Sequence, residues 1–126
     1  MARILVVDDE EPVRQILSRR LQQWGHDVAV APTAEAALEQ MRQKPAEIVL
    51  CDVIMPLHDG VWLFRQILDQ WPETIFVAVS GAQDISTVMQ MRKLGAVDFV
   101  PKPIGREMLH QALDKALATL ESRKSS

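Results

Sequence analysis

Five short apolar runs, rich in β-branched and aromatic residues, alternate along this chain with longer stretches whose apolar residues recur at helical spacing. No other feature restricts the fold as much, because strands separated by helical segments pair in parallel through crossover connections. Four of the runs end in reactive residues: Ile4-Leu5-Val6-Val7 in Asp8-Asp9, Ile48-Val49-Leu50-Cys51 in Asp52, Ile75-Phe76-Val77-Ala78-Val79 in Ser80, and Val97-Asp98-Phe99-Val100-Pro101 in Lys102. Ligands of open α/β sheets sit beyond the carboxyl ends of the strands. Three carboxylates, a hydroxyl and an ammonium are therefore expected to meet at one edge.

The pattern predicts strands at residues 3–7, 27–31, 47–51, 74–79 and 97–100, and helices at 11–24, 33–43, 61–71, 84–94 and 104–121. Pro12 suits a first helical turn, where its missing N–H costs nothing, and Gly25 and Gly95 suit helix stops. Thr33 and Asp84 are expected N-caps, and Pro45 and Pro72 close the second and third helices. Residues 55–60, with Pro56, Asp59 and Gly60, read as a turn. Residues 27–31 alternate like an edge strand, whereas 47–51, apolar from Ile48 onward, belong at the centre.

Right-handed crossovers, with helices on both faces, leave few arrangements. The expected fold is a single α/β domain, a (βα)5 doubly wound parallel sheet in the flavodoxin-like order 2-1-3-4-5. Strand 1 then lies between strands 2 and 3 and puts Asp8-Asp9 beside Asp52. The domain is expected to fill residues 1–121, leaving 122–126 as a tail or the start of a linker.

At 126 residues and 48% hydrophobic content the chain can bury one continuous core. Its formal charge of -3 offers no footprint for nucleic acid. No stretch approaches the roughly 20 apolar residues of a membrane span, and the acids from Asp8 onward leave no room for a signal peptide. A lone Cys51 excludes an internal disulfide and fits a reducing compartment, so a cytoplasmic protein is expected.

Three clustered carboxylates repel one another, and without a cation one of them would take up a proton. A hard divalent ion relieves this. Mg²⁺ suits best, because it accepts a few carboxylates, keeps waters and leaves room for a phosphoryl oxygen. Acids at 8–11 could also serve as helix-start charges, and Asp52 as a loop acid. Together with Mg²⁺, however, Asp52 is a competent nucleophile toward phosphorus, and Ser80 and Lys102 would neutralise charge on the transferring group.

These motifs also carry a resemblance. Ile4 to Glu10, Asp52-Val53-Ile54-Met55-Pro56 with Asp59-Gly60, Val79-Ser80-Gly81, and Gly95 through Lys102-Pro103 resemble those of the response-regulator receiver domain of bacterial two-component signalling, over essentially the whole chain. The resemblance implies that Asp52 accepts a phosphoryl group, and that Asp8, Asp9, Asp52 and the Ile54 backbone carbonyl hold Mg²⁺. It implies that Ser80 and Lys102 bind phosphoryl oxygens, that Ser80 and Phe99 form a switch, and that the Lys102-Pro103 peptide is cis. The implied partner is a sensor histidine kinase or phosphotransfer protein. The implied output surface is the fourth helix, fifth strand and fifth helix, including Met89, Gln90, Lys93, Asp98 and Arg106, which also offers a homodimer contact.

Two positions depart from fast-hydrolysing members of that family. Ile54 cannot orient a water, so phospho-Asp52 is expected to be long-lived, while a small Ala82 opens the site and partly opposes this. A phosphatase of the haloacid-dehalogenase kind would need a second acid at position 54. A flavodoxin would need a phosphate loop where Asp8-Asp9-Glu10-Glu11 stand. A regulatory phosphoacceptor, not an enzyme with outside substrates, is the reading that remains. His26, His58 and His110 lack ligand spacing and are expected on the surface, the tryptophans on helices, and Cys51 as a small buried hydrophobe.

Overall fold

A computed structural model describes residues 1–81 and 85–124. The strands are β1 (Arg3–Val7), β2 (Asp27–Ala31), β3 (Ile48–Asp52), β4 (Ile75–Ser80) and β5 (Asp98–Pro101); the helices are α1 (Glu11–Gln23), α2 (Ala34–Gln43), α3 (Gly60–Gln70), α4 (Ile85–Leu94) and α5 (Arg106–Lys124). All strand pairs are parallel, in the order β2-β1-β3-β4-β5. The expected α/β architecture and strand order are therefore present.

Strand alternation divides the core between two faces. Leu5, Val7, Val49, Cys51, Phe76 and Ala78 face α2, α3 and α4. Ile4, Val6, Ile48, Leu50, Ile75 and Val77 face α1 and α5. Every β3 side chain is buried, as a continuous apolar run in a central strand requires. On the first face Phe64 of α3 stacks on Phe76 with ring centroids 4.3 Å apart, locking α3 to β4.

Local chemistry sets the helix ends. Pro12 occupies the first turn of α1, the Thr33 hydroxyl accepts from the Ala36 N–H at 3.0 Å, and Asp59 Oδ1 accepts from the Trp62 N–H at 3.0 Å. Gly25 and Gly95 take positive φ after α1 and α4. The cap expected of Asp84, and Ala82, lie outside the described residues.

Some boundaries differ from the sequence pattern. Ile104 precedes α5, which begins at Arg106 with the Leu109 N–H donating to the Gly105 carbonyl. The helix continues past Glu121 because Arg123 Nη1 donates to the Glu73 carbonyl (3.1 Å) and Lys124 Nζ meets Glu47 Oε2 (3.1 Å). Of the apolar stripe expected on α4, only Met91 is fully buried, while Ile85 is 68% exposed. Polarity does not foretell this: α4 joins the core through Met91, with Leu94 packed against it.

The amino-terminal end of the sheet is laced with opposite charges. Arg3 Nη1 lies 2.9 Å from Asp27 Oδ2, Lys44 Nζ reaches the same oxygen at 3.9 Å, and the Arg3 N–H donates to Glu47 Oε1 at 3.0 Å. That N–H holds the Glu47 carboxyl below its usual range, with help from Lys124 and against its partial burial.

Candidate phosphoacceptor and cation site

At the other end of the sheet the charges are mostly of one sign. Asp8 follows the last residue of β1, its N–H donating to the Ala31 carbonyl at 3.2 Å, and Asp52 is the last residue of β3. Both are buried, at 1% and 4% exposure, although both are ionisable. Asp9 is exposed, and one carboxylate oxygen from each of Asp8, Asp9 and Asp52 lies within 4.8 Å of the others. Three hard oxygen donors with one side open to solvent suit a divalent ion that keeps waters, so the donor set fits Mg²⁺.

One ammonium faces the acids. Lys102 Nζ, carried in from the end of β5, lies 3.0 Å from Asp52 Oδ2 and 3.3 Å from Asp8 Oδ2. Burial pushes the Asp52 carboxyl above its ordinary value, Asp8 adds to this, and Lys102 and the Ile54 N–H oppose it. Burial alone would lower the Lys102 ammonium, but Asp52 and Asp8 outweigh it and raise it. The lysine thus stays charged, a single ammonium set against three carboxyl groups.

Backbone donors fix the acids. The Ile54 N–H donates to Asp52 Oδ1 at 3.2 Å and the Glu10 N–H to Asp8 Oδ1 at 2.9 Å. Behind Asp52 the chain turns tightly into α3, with the Gly60 N–H donating to the Val53 carbonyl at 3.0 Å. A Cβ on residue 60 would lie 2.8 Å from the Asp52 carbonyl oxygen and 2.9 Å from Val53 Cα, so only glycine allows this approach.

Ser80 ends β4 beside Asp52's strand and is buried, and its carbonyl accepts from the Lys102 N–H at 2.7 Å. The Lys102-Pro103 peptide is cis. Ile54 is 52% exposed, its side chain turned away from the core. Phe99 is half-buried on β5, with the Arg92 guanidinium 4.6 Å above its ring, and both border a groove of about 410 Å³ that begins at Ser80. Asp8, Asp9, Asp52 and Lys102 are thus brought together, Ser80 adjoins them, and Phe99 stands one strand away.

Cys51 is fully buried on the face opposite this cluster, and burial raises its thiol well above the usual range. His58 and His110 are exposed, while His26 is half-buried and accepts from the Ala2 N–H at 3.0 Å. Residues 54–60 carry a stack of His58 on Trp62 with centroids 3.9 Å apart. Among the described residues no helix is long and apolar enough to cross a membrane.

Sequence reasoning missed Arg14, whose Nη1 donates to the Asp8 carbonyl at 2.8 Å. The signal was available: Arg14 stands four residues after Glu10, one helical turn on, on the side of α1 that looks back to the strand end.

Comparison with known proteins decides the family. Residues 4–114 match the profile of the response regulator receiver domain. The chain belongs to the receiver-domain family. It is 36% identical over 119 residues to the transcriptional regulatory protein ZraR of Escherichia coli K12, covering 94% of this chain and 27% of that protein. It is 33% identical over 113 residues to the C4-dicarboxylate transport transcriptional regulatory protein DctD of Rhizobium meliloti, covering 90% and 25%. This receiver domain superposes on that of NtrX from Brucella abortus with a TM-score of 0.87 at 33% identity, covering 92% and 98% of the two chains. The chain spans about a quarter of the length of the curated relatives it matches.

Proposed function

We propose that this receiver takes a phosphoryl group onto Asp52 and uses it to switch a contact surface, rather than turning over outside substrates. The observation that supports this best is Lys102 Nζ held 3.0 Å from Asp52 and 3.3 Å from Asp8, with Asp9 completing an acidic triad open on one side. Asp8, Asp9, Asp52 and the Ile54 carbonyl would hold Mg²⁺. When bound, that ion would supply positive charge to offset the negative charge of the transferring group.

An Asp52 carboxylate oxygen attacks the phosphorus of a donor phosphohistidine as the P–N bond breaks, and the departing electron pair stays on the imidazole nitrogen. Lys102 pairs with one oxygen of the transferring group and the Ser80 hydroxyl donates to another, so the growing charge is met by groups already in place. The donor is a sensor histidine kinase or phosphotransfer protein. Lys102 and Pro103 border a largely apolar groove of about 480 Å³, floored by Val13, Ile16, Leu17 and Ile104 and edged by Glu10 and Arg20, on which a donor helix can rest.

Ser80 then moves toward the new anion and Phe99 turns into the space it leaves, which remodels the surface of α4, β5 and α5 for a target or a second copy. With Ile54 unable to orient a water, phospho-Asp52 persists, and Ile54→Asn is expected to shorten its lifetime several-fold. Incubation with acetyl phosphate and Mg²⁺, followed by borohydride reduction and mass mapping, tests the assignment. Labelling at Asp52 is expected. An unlabelled protein, or a label carried elsewhere, would overturn it.

A further inference from the structure

We infer that Arg14 is a positioning residue for the cation site, acting on Asp9 through the backbone; this rests on the Mg²⁺ reading of the acidic triad. Asp8 is the last residue of β1's course to pair with β2, through its N–H on the Ala31 carbonyl at 3.2 Å. Its own carbonyl lies beyond the ladder and needs another donor, since a half-buried carbonyl left unpaired carries a desolvation cost. Arg14 is that donor, with Nη1 at 2.8 Å, a short charge-assisted bond.

The carbonyl it holds belongs to the peptide that joins Asp8 to Asp9. Rotation of that peptide swings Asp9, while Asp8 is pinned separately by the Glu10 N–H at 2.9 Å and by Lys102 at 3.3 Å. Asp9 is the exposed member of the triad and lacks such restraints on its carboxylate among the described residues. Its direction therefore depends on the backbone, and on Arg14. The backbone from which Arg14 reaches is fixed, its main-chain N–H closing the first turn of α1 on the Glu10 carbonyl at 3.1 Å.

Two effects of Arg14 on a cation have opposite signs, which makes the inference testable. Its positive charge repels a divalent ion, so as a mere charge its removal would tighten binding. As the clamp on the Asp8–Asp9 peptide, its removal weakens binding, because groups that orient metal ligands govern affinity nearly as strongly as the ligands.

The test is a Mg²⁺ titration by calorimetry on unphosphorylated wild type, Arg14→Met and Arg14→Lys, with thermal midpoints in EDTA alongside. Arg14→Met is expected to bind Mg²⁺ roughly tenfold more weakly, the low end of what losing a hydrogen bond to a charged donor costs. Arg14→Lys, which keeps the charge and one donor, falls between, and its value decides the matter should the Met variant fail to fold. The metal-free midpoint of Arg14→Met falls modestly, because the Asp8 carbonyl loses its donor, and Mg²⁺ affinity falls with it; a fall in midpoint with unchanged affinity would mark a merely structural role and overturn the inference. So would unchanged or tighter binding by the variants. Failure of the wild type to bind Mg²⁺ would instead remove the cation reading itself.

Discussion

Glu47, just before β3, and Asp52, its last residue, are carboxylates flanking the same buried strand, and their surroundings tune them in opposite directions. Glu47 receives the Arg3 N–H and faces Lys124, and its proton is held less tightly than usual. Asp52 is buried beside Asp8 with one lysine between them, and its proton is held more tightly. The sheet's amino-terminal end pairs unlike charges; its carboxyl-terminal end crowds like ones. Paired charge closes the first region. The second is relaxed by something from outside, which is what the proposed cation and phosphoryl site requires.

The largest test of this contrast is all-or-none. Asp52→Asn should abolish phosphoryl uptake from acetyl phosphate, while Glu47→Gln leaves it unchanged, both read by intact-protein mass. Next is the turn that carries Asp52. Gly60→Ala should destabilise the fold by about 2 kcal/mol in urea unfolding, because the new methyl meets the Asp52 and Val53 backbone.

The metal-free dependence of stability on pH is a smaller effect with a definite sign. A carboxyl whose folded pKa is raised binds its proton more readily folded than unfolded, so stability falls as pH rises from the ordinary carboxylate range through Asp52's raised value. Asp52→Asn removes that loss and should be more stable than wild type at pH 7, with the gain vanishing at low pH. For Glu47, whose pKa is lowered, stability is present above the ordinary value and lost as pH falls through the lowered one. Glu47 is partly solvated, so Glu47→Gln should cost only roughly 0.3 kcal/mol at pH 7. Equal signs for the two variants in chemical unfolding would erase the contrast.

Most of the sheet was legible in the sequence because period-two burial and parallel crossovers leave few alternatives. Residues 47–51, apolar but for Glu47, could only be central, and the observed strand is Ile48–Asp52. The convergence of Asp8, Asp9, Asp52 and Lys102 followed from strand order alone. What escaped depends on packing at a finer scale. Ile85 matches a core stripe yet is exposed, because periodicity does not report how close α4 sits to the sheet. The run of α5 beyond Glu121 depends on Lys124 meeting Glu47, a contact remote in sequence. Arg14 went unnoticed because its partner is a backbone carbonyl, which no residue pattern displays.

The unlike fates of the two sheet ends can be read in one titration, following backbone amides by NMR as Mg²⁺ is added to the unphosphorylated protein. Saturable shifts are predicted at residues 8–10 and 52–54 and at Lys102, with Arg3, Asp27 and Glu47 unmoved. Shifts centred on those last three residues, or none that saturate, would contradict the account.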